Sequence, residues 1–509
     1  MVASEDAPRL SLNAALLTSS KPTLARMLRP RLAQACVLPA WTATVCVGPY
    51  SRSLEIGSGE SPRSTHPLDF FMKIHLARCR FFLVGLLMFA VAMATAVRSA
   101  EGTPSPPNAA APNFATVMRT TYLALVNQSI VPADPRVVGI AALEAMAAHA
   151  PDHGLSLPAA FGVDAETDAN WLAASVAHRP VDWSVIEAMA RQPQIAHMGL
   201  GTPEMRLGVG ALMRGEPLMN PGFNIYRLAD GRFAVWDLVK GASADTSGVR
   251  VGDVLLSING KRTARVDALT IYRFTAGSEV TLEIERAQRV ETIKLSFTKT
   301  SVPIVTSRML DDGLGYVLVR GFARSKDPEF DTPAQARQAF TNLSAAGARG
   351  LILDFRSTLG GSGVDKMVSA LSDGEIMYSL QKPGGAPRPI KRDGERCWPD
   401  RPIVVLINEE TVSAPEYTAL ALRELAKARI VGQRSGGGLT EISVVPLGPD
   451  YVLTIPGGAA LGPISGAAQP NYALKPDVEI SNPTIDEMIR GEDRQLDAAR
   501  ALFAPRPEP

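Results

Sequence analysis

Three unbroken apolar runs constrain this chain more than any other feature: GYVLV from Gly315, GLILDF from Gly350 and PIVVLIN from Pro402. Each has the length of a strand and is too short for a helix. Between and after them lie PAQARQAFTNLSAAG and the stretch following Ser413, whose apolar residues recur at three- and four-residue steps. A strand that is apolar throughout needs cover on both faces, and a parallel sheet layered between helices supplies it. The C-terminal part of the chain is therefore predicted to be α/β.

The rest of the text divides by rhythm. From Phe114 to about Arg214 the period is helical, in FATVMRTTYLALV, VVGIAALEAMAAHA and VDWSVIEAMARQ. From 222 to 300 it becomes short strands punctuated by Gly and Asp: GRFAVWDLV, DVLLSING, EVTLEIERA and ETIKLSFTKT. Residues 101–113, EGTPSPPNAAAPN, read as a Pro-rich linker. Residues 1–71 carry no sustained period and scatter Pro, Ser and Arg, as in a disordered extension or a mis-assigned start. The expected organisation is a signal peptide or anchor at 72–96, a linker at 97–113, a helical domain at 114–214, a β-rich domain at 220–300, an α/β core at 301–490 and a tail at 491–509.

Met72 opens a basic run (Lys73, His75, Arg78, Arg80), followed by 17 apolar and small residues, 81–97, with Ala94 and Ala96 at the end. That order is the grammar of an export signal, and the same 81–97 run, left uncleaved, would anchor the chain in a membrane. Either outcome predicts a periplasmic or secreted protein. Cleavage near Ala96 leaves Cys397 as the one remaining thiol, so no internal disulfide is expected. The net charge of +1 offers no field for nucleic acid. Six histidines without ligand spacing imply no metal, and no cofactor motif is present. The oligomeric state is not legible.

The junction that can carry chemistry is VVLINEETVSAPEYTALALRELA. A buried strand ends at Asn408, and Ser413 precedes a helix opening with Pro415 and Glu416, where free amides and the helix dipole favour negative charge. Ser413 is either a plain helix N-cap or a nucleophile.

These segments resemble known families. Leu238 to Gly260 is similar to a PDZ domain, in which Gly222-Phe223-Asn224-Ile225 would take the place of the loop whose amides receive a peptide C-terminus. The strand ending Asp354-Phe355-Arg356, the Gly360-Gly361 pair and the segment around Ser413 resemble the carboxy-terminal processing, or tail-specific, serine proteases. The resemblance runs from about Met198 to Ile480 and implies a crotonase/ClpP-like α/β protease core with Ser413 as nucleophile. The amides of Gly360 or Gly361 and of Ala414 would then form the oxyanion hole. It also exposes a gap. The family turn V-G-x-x-[ST]-x-G-K-G reads VGQRSGGGL here, and Gly438 stands where the catalytic lysine is expected.

A lysine-free branch, tricorn-like and retinoid-binding-protein-like, draws its base from a histidine ahead of the PDZ-like part. IAHMGLGTPEM places His197 in that role by resemblance. Glu416 is the candidate third member, or else a carboxylate complementing the helix dipole. Arg434, in the glycine turn, would bind a substrate carboxylate or be solvated. The expected function is hydrolysis of polypeptides selected by their C-termini. The rival is an inactive scaffold that holds peptides or other ligands.

Overall fold

The computed structural model describes residues 113–149, 154–176, 179, 181–192, 196–201, 221–263, 279–296 and 302–504. The expected extension (1–71), the export segment and anchor within 72–97, the linker before Asn113 and Thr202-Pro203-Glu204 lie outside these residues. No helix among the described residues is long and apolar enough to cross a membrane.

Four helices open the described chain: α1 (Phe114–Leu123), α2 (Pro135–His149), α3 (Ala165–Val176) and α4 (Trp183–Ala190). Short polar side chains start them. Asn113 accepts from the amides of Ala115 and Thr116, Asp134 from Arg136 and Val137, and Asp182 from Ser184. Their apolar faces close on one another around Tyr122, Leu125, Leu172 and Ile186. A short strand β1 (Gly199–Gly201) follows, two residues after His197.

The β-rich segment comprises β2 (Phe223–Arg227), β3 (Phe233–Leu238), the single turn α5 (Ser243–Thr246), β4 (Val254–Ile258), β5 (Lys261–Arg262), β6 (Glu279–Arg286) and β7 (Arg289–Ser296). They form one antiparallel sheet in the order β2-β3-β4-β6-β7, with β5 beside β4. Alternate side chains such as Phe223, Val235, Leu255 and Ile284 make its core.

The remaining chain is α/β. In order it gives β8 (Val305–Met309), β9 (Gly315–Val319), β10 (Gly321–Phe322), α6 (Thr332–Ala345), β11 (Leu351–Asp354), β12 (Leu359–Gly361), α7 (Val364–Ser369), β13 (Ile376–Gln381) and β14 (Arg388–Lys391). Then come β15 (Ile403–Ile407), α8 (Ala414–Leu425), β16 (Arg429–Gly432), β17 (Thr440–Pro446), β18 (Val452–Leu461), β19 (Val478–Glu479), α9 (Ile485–Arg490) and α10 (Arg494–Ala501). The main sheet has the order β19-β16-β15-β11-β9-β8, parallel except for the antiparallel edge strand β8. Val317, Leu353 and Val405 face α6, α7 and α8, while Leu318, Ile352 and Val404 face α10. Cover on both faces is what the apolar runs demanded.

Sequence reading did not anticipate the second sheet. β18 is flanked on one side by β17 and on the other by β1 and β13, and β14 extends the sheet beyond β13. Leu447, Leu453 and Ile455 from this sheet pack into the helical core, and the rings of Trp183 and Tyr451 stack at 3.8 Å.

Candidate active site

β15 delivers the chain to the sheet's C-terminal edge, and Ser413 sits between it and α8 with φ 73° and ψ −121°. An ordinary N-cap residue has extended backbone. A serine held in this sparsely populated region costs about 1–3 kcal/mol and is a feature of sites that present a hydroxyl on a sharp strand-to-helix turn. The fully buried Glu416 stabilises the turn. Its carboxylate accepts from the Ser413 amide at 2.6 Å, Gly438 N at 2.7 Å, Gly437 N at 3.1 Å and the Ser435 hydroxyl at 2.5 Å. Burial pushes its pKa up to about 7, against the pull of those four donors.

Glu416 therefore joins the Ser413 turn to the glycine turn. In this structure it binds main-chain amides and a serine, not an imidazole. The expected role as orienter of His197 finds no contact here, because four donors already occupy its oxygens.

Gly360 lies directly under Ser413: a methyl at Gly360 would come 2.4 Å from Ser413 Cβ and 2.7 Å from its Oγ. At Gly361 a methyl would meet the carbonyl oxygen of Phe322 at 1.7 Å. Only glycine allows this approach of main chain to the serine. Ala414 begins α8, and the amide of a first helical residue has no acceptor within its own helix. The Gly360-Gly361 strand and the start of α8 thus both border the Ser413 side chain.

The ring of His197 is bonded through Nδ1 to Thr440 Oγ1 at 2.9 Å, at the head of β17 and two residues past Gly438. Among the described residues the structure joins His197 to Thr440 and not to Ser413. Burial lowers its pKa to about 4, so the ring is neutral at pH 7 and has a lone pair to offer. Thr440 is the residue that sequence reasoning missed. No motif marks it, and its proximity arises from β1 and β17 flanking β18 from opposite sides.

At the expected lysine position a methyl on Gly438 would fall 2.6 Å from the Ser413 amide nitrogen and 2.7 Å from a Glu416 oxygen. The backbone fills that space. Arg434 is exposed, with one nitrogen 3.5 Å from the Pro470 carbonyl. Cys397 is a half-buried free thiol whose pKa burial raises. Among the described residues no group of three or more His, Cys, Asp or Glu is arranged to hold a metal.

The four residues expected to receive a peptide terminus lie at the start of the β-rich segment. Gly222 has φ 92° and its carbonyl accepts from Val239 N, while Phe223, Asn224 and Ile225 are buried. The Ile225 carbonyl accepts from the Ser357 hydroxyl at 2.5 Å, so the α/β core already occupies part of this strand's edge. Residues 264–278 lie outside the described residues.

Residues 313–480 match the peptidase family S41, and residues 214–285 match the PDZ domain family. The carboxy-terminal processing protease CtpA of Bacillus subtilis (strain 168) is 28% identical over 216 residues, 41% of this chain and 45% of that protein. The chloroplastic C-terminal processing peptidase of Tetradesmus obliquus is 31% identical over 294 residues, 52% of this chain and 60% of that protein. The chain thus spans about half the length of these curated relatives. Among solved structures, a photosystem II D1 C-terminal processing protease aligns with a TM-score of 0.46 at 22% identity, over 69% of this chain and 96% of that one.

Proposed function

We propose that this chain is an exported serine peptidase that hydrolyses polypeptides, selecting them by their C-termini through the PDZ segment. The observation that carries the reading is the backbone of Ser413. A strained serine between a buried strand and a helix, with glycine main chain pressed against its side chain, supports a nucleophile, and the capping box it forms with Glu416 fixes the turn that presents it. The matches to peptidase family S41 and to PDZ cover the same parts of the chain.

In this reading Ser413 Oγ attacks the scissile carbonyl and His197 Nε2 takes its proton. The tautomer that permits this carries its proton on Nδ1, where Thr440 Oγ1 accepts it. Thr440 is thus a positioning residue, and Nε2 must come within about 3 Å of Ser413 Oγ when substrate binds. The amides of Gly360 or Gly361 and of Ala414 stabilise the oxyanion. The C–N bond then breaks as His197 gives its proton to the leaving amine. Water, losing a proton to the same ring, hydrolyses the acyl-enzyme to free the new C-terminus and return the Ser413 hydroxyl. Glu416 holds the Ser413 turn and takes no proton from substrate. Export rests on the segment at 72–96, and the covered parallel sheet supports the crotonase/ClpP-like core that the family resemblance implies.

A fluorophosphonate probe tests the nucleophile: labelling at neutral pH that maps to Ser413 and vanishes in Ser413→Ala is expected. Folded protein that does not label would overturn the assignment. His197→Ala should slow labelling by about 100-fold or more, and an unchanged rate would remove His197 as base. A peptide with an amidated C-terminus should bind more weakly than its free-acid form if the PDZ segment reads the carboxylate.

A further inference from the structure

β17 begins at the catalytic turn and runs away from it, and among the described residues it pairs only with β18. The segment carrying Ser413 lies along the turn just before β17, with the Gly436 amide donating to the Thr411 carbonyl at 3.0 Å. Past Gly438 that segment turns into α8, and among the described residues no strand pairs with the outer edge of β17.

Open edges are ordinarily blunted by charge, proline or a bulge in the strand. In β17 the charge and the proline stand near the ends, at Glu441 and Pro446, leaving Ile442–Val445 without either, and the register shift in its pairing inserts the extra residue on β18 at Gly457. Ile442 and Val444 are 48% and 57% exposed. By the two-residue period they share a face with Thr440, the residue that holds His197. The opposite face, with Val445, packs against the helical core. The exposed apolar ladder therefore lies on the catalytic side of the sheet.

We infer that the β17 edge, with Ile442 and Val444, is the substrate-side binding strand, selecting extended polypeptide segments with apolar side chains. The occupant follows from position: a chain whose scissile carbonyl lies at Ser413 can continue along β17 as an added strand. Paired strands advance together at about 3.3 Å per residue. Ile442 and Val444 stand four and six residues past Gly438, so they meet substrate side chains about four and six residues from the scissile bond.

The inference rests on the serine-peptidase reading, and its test separates the two. Full-length protein and its Ile442→Thr/Val444→Thr variant, which keeps β-branching, are given a proteome-derived peptide library. Cleavage is normalised to fluorophosphonate labelling of Ser413 in each protein. An apolar preference about four and six residues from the cleavage site is expected. The variant should lose it, with kcat/KM on apolar peptides down about tenfold. The same preference persisting in the variant overturns the inference. If Ser413 does not label, the peptidase reading fails by itself. The strand is then tested by equilibrium binding of the library to Ser413→Ala protein with and without the double substitution. Apolar selectivity lost on substitution supports the binding strand, and binding indifferent to the substitution overturns it.

Discussion

The serine and the glycine beneath it specify each other. Ser413 is held at φ 73°, and its side chain has room only because Gly360 has none. A methyl at Gly360 forces the serine or the strand to move by an appreciable fraction of an ångström. Misplacement of about 1 Å costs about 100-fold in rate. Gly360→Ala is therefore expected to lower fluorophosphonate labelling of Ser413 by about 100-fold. Gly321→Ala, where nothing lies within 4 Å of the added methyl, should leave it unchanged. Equal labelling of both variants would mean that the close approach is not functional.

Between elements, Glu416 fastens α8 to the turn that leads into β17, and its protonation couples that joint to pH. Its pKa is raised from 4.5 to about 7, so the native state holds a proton that the unfolded chain has released. The associated stability is fully present below pH 4.5 and is lost as pH rises through 7. His197 acts in the opposite sense. Its pKa falls from 6.5 to about 4, so stability present above 6.5 is lost as pH falls towards 4. Glu416→Gln removes the first contribution and keeps the second. The melting temperature of the variant should drop more steeply than wild type on acidification from pH 7 to 4.5. Parallel curves would show that Glu416 stays ionised throughout. The same joint explains the missing lysine, since the amides held by Glu416 occupy the space a side chain at Gly438 would need.

Across the molecule, the β-rich segment and the core meet on a buried cation. Arg356 is fully buried, with Asp354 at 2.5 Å, Asp493 at 2.7 Å and Gln495 at 3.0 Å, and those carboxylates hold its pKa well above the usual range. Tyr226 and Trp236 stack at 4.6 Å, and the guanidinium lies 5.0 Å from the Trp236 ring. The Tyr316 hydroxyl donates to Asp354 at 2.7 Å, and Arg320 pairs with Asp237 at 2.7 Å nearby. A buried pair broken from one side leaves an uncompensated charge, which costs about 3–5 kcal/mol. Arg356→Leu should lose about that much in denaturant unfolding, and a loss below about 1 kcal/mol would show the network to be relaxed.

The sequence by itself determined the strands of the main sheet and the strand-to-helix junction at Ser413, but not the second sheet. Apolar runs such as PIVVLIN have one economical environment, and a Ser-Ala-Pro-Glu after such a run starts a helix, because both are local consequences of side-chain period and backbone chemistry. The glycine at position 438 was equally legible, as an absent lysine. Only the tertiary structure decided what each polar group meets. Glu416 proved to hold the amides of Gly437 and Gly438, Thr440 to hold His197, and Ile225 to be tied to Ser357, although these partners stand 21 to 243 residues apart in the chain. The physical reason is that a side chain's type fixes what it can bond, whereas its partner is set by which strands lie beside β18 and which segments close over β15, and no spacing in the sequence encodes that.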